Sequence, residues 1–267
     1  MSYSNYYPSS GMFHVSIPLL MGTRMDVLLF GDDRQPLESF WTCAEQELKR
    51  MEKMLNRFDP ASETAKINSD AAFSAVGLSD ELWRILLDCR RYYESTDGYF
   101  DVTLSDFDKI IFMEESHSIS FDKYGMALDF GGYAKGYALK ILCKRLEEAG
   151  IKRALLNFGN SAVLALGVHP YGDSWPVGIE DPVTGVTLKT VDLCDTCLSV
   201  SGNMPSNKEH IVNPKTAGRV TGNEMTAIVS DDPVDAEALT TAWIASEDKD
   251  VPDWMMRFNL KETYRIK

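Results

Sequence analysis

Positive charge is what this sequence has least of: 27 Lys and Arg stand against 40 Asp and Glu, a formal net charge of −13 over 267 residues. That balance argues against nucleic acid or anionic membrane as main partner, because both need a basic face that releases counterions. An anionic ligand would therefore need local basic groups or a metal. Long apolar runs are missing too, so no integral membrane segment is expected. Residues 1–10 are polar and tyrosine-rich, without the basic n-region and apolar core of a secretory leader. As given, the chain reads as cytoplasmic, and as periplasmic or membrane-anchored if a leader was removed.

Cysteine is sparse and odd in number: Cys43, Cys89, Cys143, Cys194 and Cys197 show no small-scaffold disulfide spacing and favour a reducing compartment. The lone C-x-x-C, Cys194 to Cys197, falls in a strand-like run, 191–200, with no second pair. It reads as buried small side chains rather than a redox or zinc site. Repeats and low-complexity linkers are absent as well, and with 44% hydrophobic residues the chain can bury one large core or two lobes sharing a cleft. Residues 1–267 read as a single domain.

Three helices follow from apolar spacing of three and four. One carries Trp41, Ala44, Leu48, Met51 and Leu55; the next, capped by Ser79, carries Leu82, Leu86, Cys89 and Tyr93. The third carries Ala138, Leu142, Leu146 and Ala149 before Gly150. Strands are expected at 25–30, 153–158, 162–166, 175–179, 186–193 and 225–229. Without strict βαβ alternation, this mixture predicts an α+β fold with mostly antiparallel sheet. The run Trp254, Met255, Met256, Arg257, Phe258 reads as a short apolar helix leading into an edge strand at 262–266 that closes the core.

Residues 127–138, ALDFGGYAKGYA, read as a strand, a glycine turn and a helix start carrying Lys135. One reading is phosphate handling: Gly131, Gly132 and Gly136 let an anion approach while the first helical N–H groups point at it. The other is a glycine turn packing a helix on a sheet, with Lys135 in solvent. A second cluster follows Asp231 and Asp232, which with Pro233 would cap a helix over 234–245. Glu237 and Thr241, four apart, share one face and are hard oxygen donors suited to Mg²⁺. Alternatively Glu237 is solvated and Thr241 bonds the backbone. Between the clusters, His210 sits among glycine- and serine-rich turns, and its neutral-range pKa suits a general base.

Taken in order, these motifs resemble the ApbE-type FAD:protein FMN transferases. The likeness runs through Met21-Gly22-Thr23, Leu55-Asn56-Arg57-Phe58, Thr96-Asp97-Gly98-Tyr99-Phe100-Asp101-Val102-Thr103, 129–138, Leu156-Asn157-Phe158-Gly159, Trp175-Pro176-Val177-Gly178-Ile179, 210–216 and 236–242. It covers about residues 21–243. The resemblance implies a T-fold-like flavin cleft between two lobes, lined by Met21, Phe58, Tyr99, Phe100, Asp101, Asp129, Gly131, Lys135 and Ile211. It also implies Mg²⁺ held by the Ala134 carbonyl with Glu237 and Thr241, and His210 as catalytic base. FAD would be substrate, and an acceptor protein with a Ser or Thr site would receive FMN as AMP leaves. A Mg²⁺-dependent FAD pyrophosphatase giving FMN and AMP, or a non-catalytic FAD-binding protein, are the alternatives.

The pattern departs from the family in places. Glu237 replaces the usual aspartate, Phe58 a frequent tyrosine, Lys140 an aspartate and Asn160 a glycine, while Ala217 interrupts a Thr-Gly pair. The segment 103–129 is shorter than in typical members, which predicts a more open wall beside the flavin.

Overall fold

A computed structural model describes residues 2–203 and 211–267. Eight strands build one sheet: β1 Tyr3–Tyr7, β2 Met12–Leu20, β3 Thr23–Phe30, β4 Ala154–Phe158, β5 Ala162–Leu166, β6 Thr196–Gly202, β7 Met225–Ser230 and β8 Leu260–Ile266. Their spatial order is their chain order, and each neighbouring pair is antiparallel. The α+β expectation holds in this form, a meander into which helices are inserted. Helices α1 Arg34–Leu55, α2 Glu63–Asp70, α3 Asp80–Ser95 and α4 Ala134–Glu148 lie between β3 and β4, and α5 Pro233–Ser246 lies between β7 and β8.

Local chemistry explains where the helices begin. Asp33, Ser62, Ser79 and Asp232 each accept a hydrogen bond from a first-turn N–H, which supplies a partner that the helix itself lacks. Pro233 takes the first turn of α5, where a missing N–H costs nothing. Helix α4 differs: Tyr133 at its cap makes no capping bond, its hydroxyl donating instead to Asp88 of α3 at 2.8 Å. Its start is therefore not closed by a side chain.

The sheet is covered on both faces. Along β5, Ala162 and Leu164 enter the main core, while Val163 and Ala165 enter a second core on the opposite side. A hairpin of Trp175–Glu180 and Thr187–Leu193 supplies Trp175, Ile179, Val191 and Leu193 to that second core. Burial on both sides is why β5 is a continuous apolar run and why β7, MTAIVS, is buried at every position. Helix α5 is enclosed likewise: among its residues only Asp235 and Thr241 are not buried. Met255 and Trp254 close the main core from a short 3₁₀ turn, Asp253–Arg257, and β8 is the sheet edge, as the C-terminal pattern predicts.

Two expectations are corrected. Residues 127–130 form no strand, because Asn68 takes the place of a neighbouring strand at Leu128: its amide donates to the Leu128 carbonyl at 3.0 Å and accepts from the Leu128 N–H at 2.7 Å. The 191–200 run breaks at Cys194 and Asp195, where Asp195 adopts φ 50° and the chain passes from the hairpin into β6. Strands β1 and β2 and helix α2 are elements that the sequence expectations do not include, although the inward Phe13, Val15 and Ile17 of β2 alternate with period two. The short 103–129 segment folds into a 3₁₀ turn, Phe107–Lys109, and a hairpin of Ile110–Met113 with Ser118–Phe121 that pairs with Val76–Gly77.

Candidate active site at the meeting of α4 and α5

The two clusters read from the sequence come together where the start of α4 lies against α5. The glycines make this approach possible. A Cβ on Gly136 would stand 2.6 Å from the Pro233 carbonyl oxygen and 2.8 Å from Glu237 Cβ, and one on Gly132 would stand 3.0 Å from Thr241 Oγ1. Neither adopts a left-handed conformation, so close packing rather than turn geometry requires them. Gly131 is held differently, its N–H donating to the Asp129 carboxylate at 2.9 Å.

Glu237 is buried at this contact, not solvated. The Lys135 ammonium touches its Oε1, and the Ser199 hydroxyl donates to Oε2 at 2.8 Å. A ring of hydroxyls surrounds it. Ser201 Oγ lies 3.0 Å from Thr240 Oγ1 and 3.5 Å from Thr241 Oγ1, and Thr241 donates to the Glu237 backbone carbonyl at 3.0 Å. Ser199 and Ser201 belong to the serine-rich stretch ahead of His210 in the sequence. Their period-two spacing on β6 was the signal that both face α5.

Ala134, the first residue of α4, is nearly buried. Among the described residues no group of three or more His, Cys, Asp or Glu converges, so a cation here rests on one carboxylate and neutral oxygens. Glu237 Oε1, Thr241 Oγ1 and the Ala134 carbonyl are all hard donors, and the carboxylate already holds a positive group. That chemistry fits Mg²⁺.

Basic groups flank the glycine turn despite the acidic chain. Arg57 pairs with Asp129 at 3.1 Å and lies 4.8 Å from the centre of the Phe58 ring. Phe58 itself is 79% exposed, at the wall of a cavity of about 400 Å³ shared with Arg57, Pro60 and Lys66. Lys215 stands 4.2 Å from the Tyr99 ring centre. Met21 is fixed by its N–H, which donates to Glu52 of α1 at 2.7 Å.

Other expected ligand residues turn inward. The Phe100 ring is buried against Tyr92, with ring centres 5.6 Å apart. Burial pushes the Asp101 carboxyl above its ordinary value, although the carboxylate accepts from Thr103 N–H at 2.6 Å and Thr103 Oγ1 at 2.7 Å. Ile211 packs with Val220, Ile244 and Ala245, which ties it to the end of α5. His210 lies outside the described residues.

Comparison with known proteins places this architecture. The sequence model of the ApbE family matches residues 21–111 and 104–263, and the two stretches join inside the short 103–129 segment. The chain is 32% identical to a FAD:protein FMN transferase of Rhodobacter capsulatus over 147 residues, 52% of this chain and 28% of that protein. It is 27% identical to that of Klebsiella pneumoniae over 192 residues, covering 67% of this chain and 58% of the relative. The match to these two thus spans less than two thirds of their length. The Chlamydia trachomatis protein of the same name is 23% identical over 90% of this chain and 88% of its own. In fold, the ApbE protein of Thermotoga maritima superposes with a TM-score of 0.79 at 20% identity, covering 92% of this chain and 89% of that one. The flavin transferase ApbE of Vibrio cholerae gives 0.76 at 17% identity, covering 88% and 87%. With the family pattern spanning nearly all of the chain beyond residue 20, this protein belongs to the ApbE family.

Proposed function

We propose that this protein transfers the FMN part of FAD, with Mg²⁺, to a Ser or Thr hydroxyl of an acceptor protein and releases AMP. The observation that carries the reading is buried Glu237 with its hydroxyl ring beside the uncapped start of α4, in a chain whose relatives are named FAD:protein FMN transferase. In this reading Glu237, Thr241 and the Ala134 carbonyl hold the metal. Bound Mg²⁺ supplies positive charge against the pyrophosphate and the leaving phosphate.

The chain's own groups do the rest. Lys135 and the N–H groups opening α4 hold the phosphates as fixed donors, which need no reorganisation as charge develops. Phe58, Tyr99 and Met21 offer aromatic and apolar surface to the rings of FAD. Asp129 and Gly131 shape the turn between them, Phe100 and Asp101 support the Tyr99 loop from beneath, and Ile211 anchors the segment that follows His210. His210 takes the proton of the acceptor hydroxyl as its oxygen attacks the FMN-side phosphorus. The new O–P bond replaces the pyrophosphate P–O bond, whose electron pair leaves with AMP.

Incubation with FAD, Mg²⁺ and a peptide bearing a Ser or Thr acceptor tests this. Flavin fluorescence that stays with the denatured peptide is the expected result. Free FMN without labelled peptide would make water the acceptor, and unaltered bound FAD would make the protein a carrier.

A further inference from the structure

Glu237 is 3% exposed. A carboxylate at that depth needs a counter-charge, because a buried ion without a partner is strongly destabilising. The Lys135 ammonium provides it, and the two side chains are not equally enclosed: 18% of the lysine is exposed against 4% of the glutamate. Glu237 is anchored in α5, and Ser199 holds its other oxygen. Lys135 begins at the second residue of α4, with Nζ 3.5 Å from the Gly131 carbonyl at the turn. The pair therefore joins a fixed anion to a cation on a flexible stem beside the phosphate-facing turn.

A divalent cation and an ammonium compete for the same carboxylate oxygen. The double charge is attracted more strongly, the two cations repel each other, and only the lysine has another place to go. We propose that Lys135 is the resident counter-ion of Glu237 and that Mg²⁺ displaces it, releasing the ammonium to a phosphate of FAD; this rests on the Mg²⁺–FAD reading above. One side chain then couples the two ligands. Metal frees the lysine for the phosphate, and a phosphate that holds the lysine leaves Glu237 to the metal, as reciprocal linkage requires.

Mn²⁺ titration of the FAD-free protein, followed by electron paramagnetic resonance, reads the competition directly. Lys135→Met is expected to bind Mn²⁺ about fivefold tighter or more than wild type, the lower range of site-to-site couplings. Lys140→Met, which removes a lysine of the same helix that pairs with Asp232, controls for charge at a distance and should leave affinity unchanged. FAD affinity should fall in Lys135→Met only when Mg²⁺ is present. Mn²⁺ that binds wild type and Glu237→Gln alike, or binds neither, overturns the metal reading and this inference with it. Mn²⁺ that requires Glu237 yet binds Lys135→Met no tighter overturns this inference alone. Acetylation of wild-type protein, read by peptide mass spectrometry, needs no variant: Mg²⁺ should raise labelling of Lys135 several-fold against Lys140. Unchanged labelling would overturn the displacement even if Lys135→Met does not fold.

Discussion

At the scale of single residues, two glycines carry more of the site than their type suggests. Gly136→Ala would drive a methyl into the Pro233 carbonyl and Glu237, so α4 and α5 must separate. The expected cost is about 1–3 kcal/mol in urea unfolding, as for overpacked cores, together with a drop in Mn²⁺ affinity because Glu237 moves. Ser199→Ala removes a hydrogen bond to a buried carboxylate, and about 1.5–3 kcal/mol of stability should go with it in the same measurement. For His210, the assignment as base predicts that His210→Ala slows transfer about 10²–10⁴-fold while FAD affinity holds. A transfer rate equal to wild type would remove it from the mechanism. The residue types were legible: Glu237 and Thr241 stand four apart on one helix in any reading of the sequence. What Glu237 touches was not, since Lys135 and Ser199 come from distant parts of the chain and leave no periodic trace.

At the scale of elements, charged groups tie the helices that frame the site. Arg50 on α1 pairs with Glu47 at 2.8 Å and Glu81 of α3 at 2.7 Å, and Glu81 also accepts from Tyr137 of α4 at 2.9 Å. The Arg50 hydrogen bonds hold both carboxyls below their ordinary value of 4.5. A depressed carboxyl pKa stabilises the fold fully above that value, and the contribution is lost as pH falls through the lower folded values. Arg50→Ala should therefore lower stability at pH 7 by about 1 kcal/mol, given how exposed the arginine is. Its deficit should shrink below about pH 4.5, where wild type loses the same interactions on thermal unfolding. Burial acts oppositely on Asp101 and Asp235, whose raised values favour the fold at lower pH. Helix identities were open to the sequence because apolar spacing and capping residues are local signals. The course of 127–130 was not, because Asn68, far along the chain, takes both backbone groups of Leu128 that a neighbouring strand would have used.

At the scale of the whole molecule, the sheet separates two tasks. Its helical face carries the α4–α5 contact, and the opposite face is sealed by the Trp175 hairpin. Trp175 is buried, its ring centre 5.8 Å from that of Phe30, and its Nε1 donates to the Gly167 carbonyl at 3.1 Å. Trp175→Ala is expected to cost about 3–5 kcal/mol in denaturant unfolding, the range for aromatic deletion in a core. Because the hairpin lies on the face away from α5, the protein that remains folded should bind FAD with unchanged affinity. A fall in affinity that matches Glu237→Gln would show that the two faces are not separate.

The sequence by itself determined the α+β class, four of the five α-helices in part (α2 excepted), most central strands and the order of motifs that marks the family. Each of these is encoded locally, in apolar period, caps and short spacings. Only the tertiary structure decided that Gly132 and Gly136 serve helix contact, that Lys135 neutralises Glu237, and that Ser199 and Ser201 join the same cluster. It also decided that Phe100 and Asp101 face inward while Phe58 faces out. The physical reason is common to all of them: burial, close approach and charge pairing are properties of two segments at once, and neither segment records its partner.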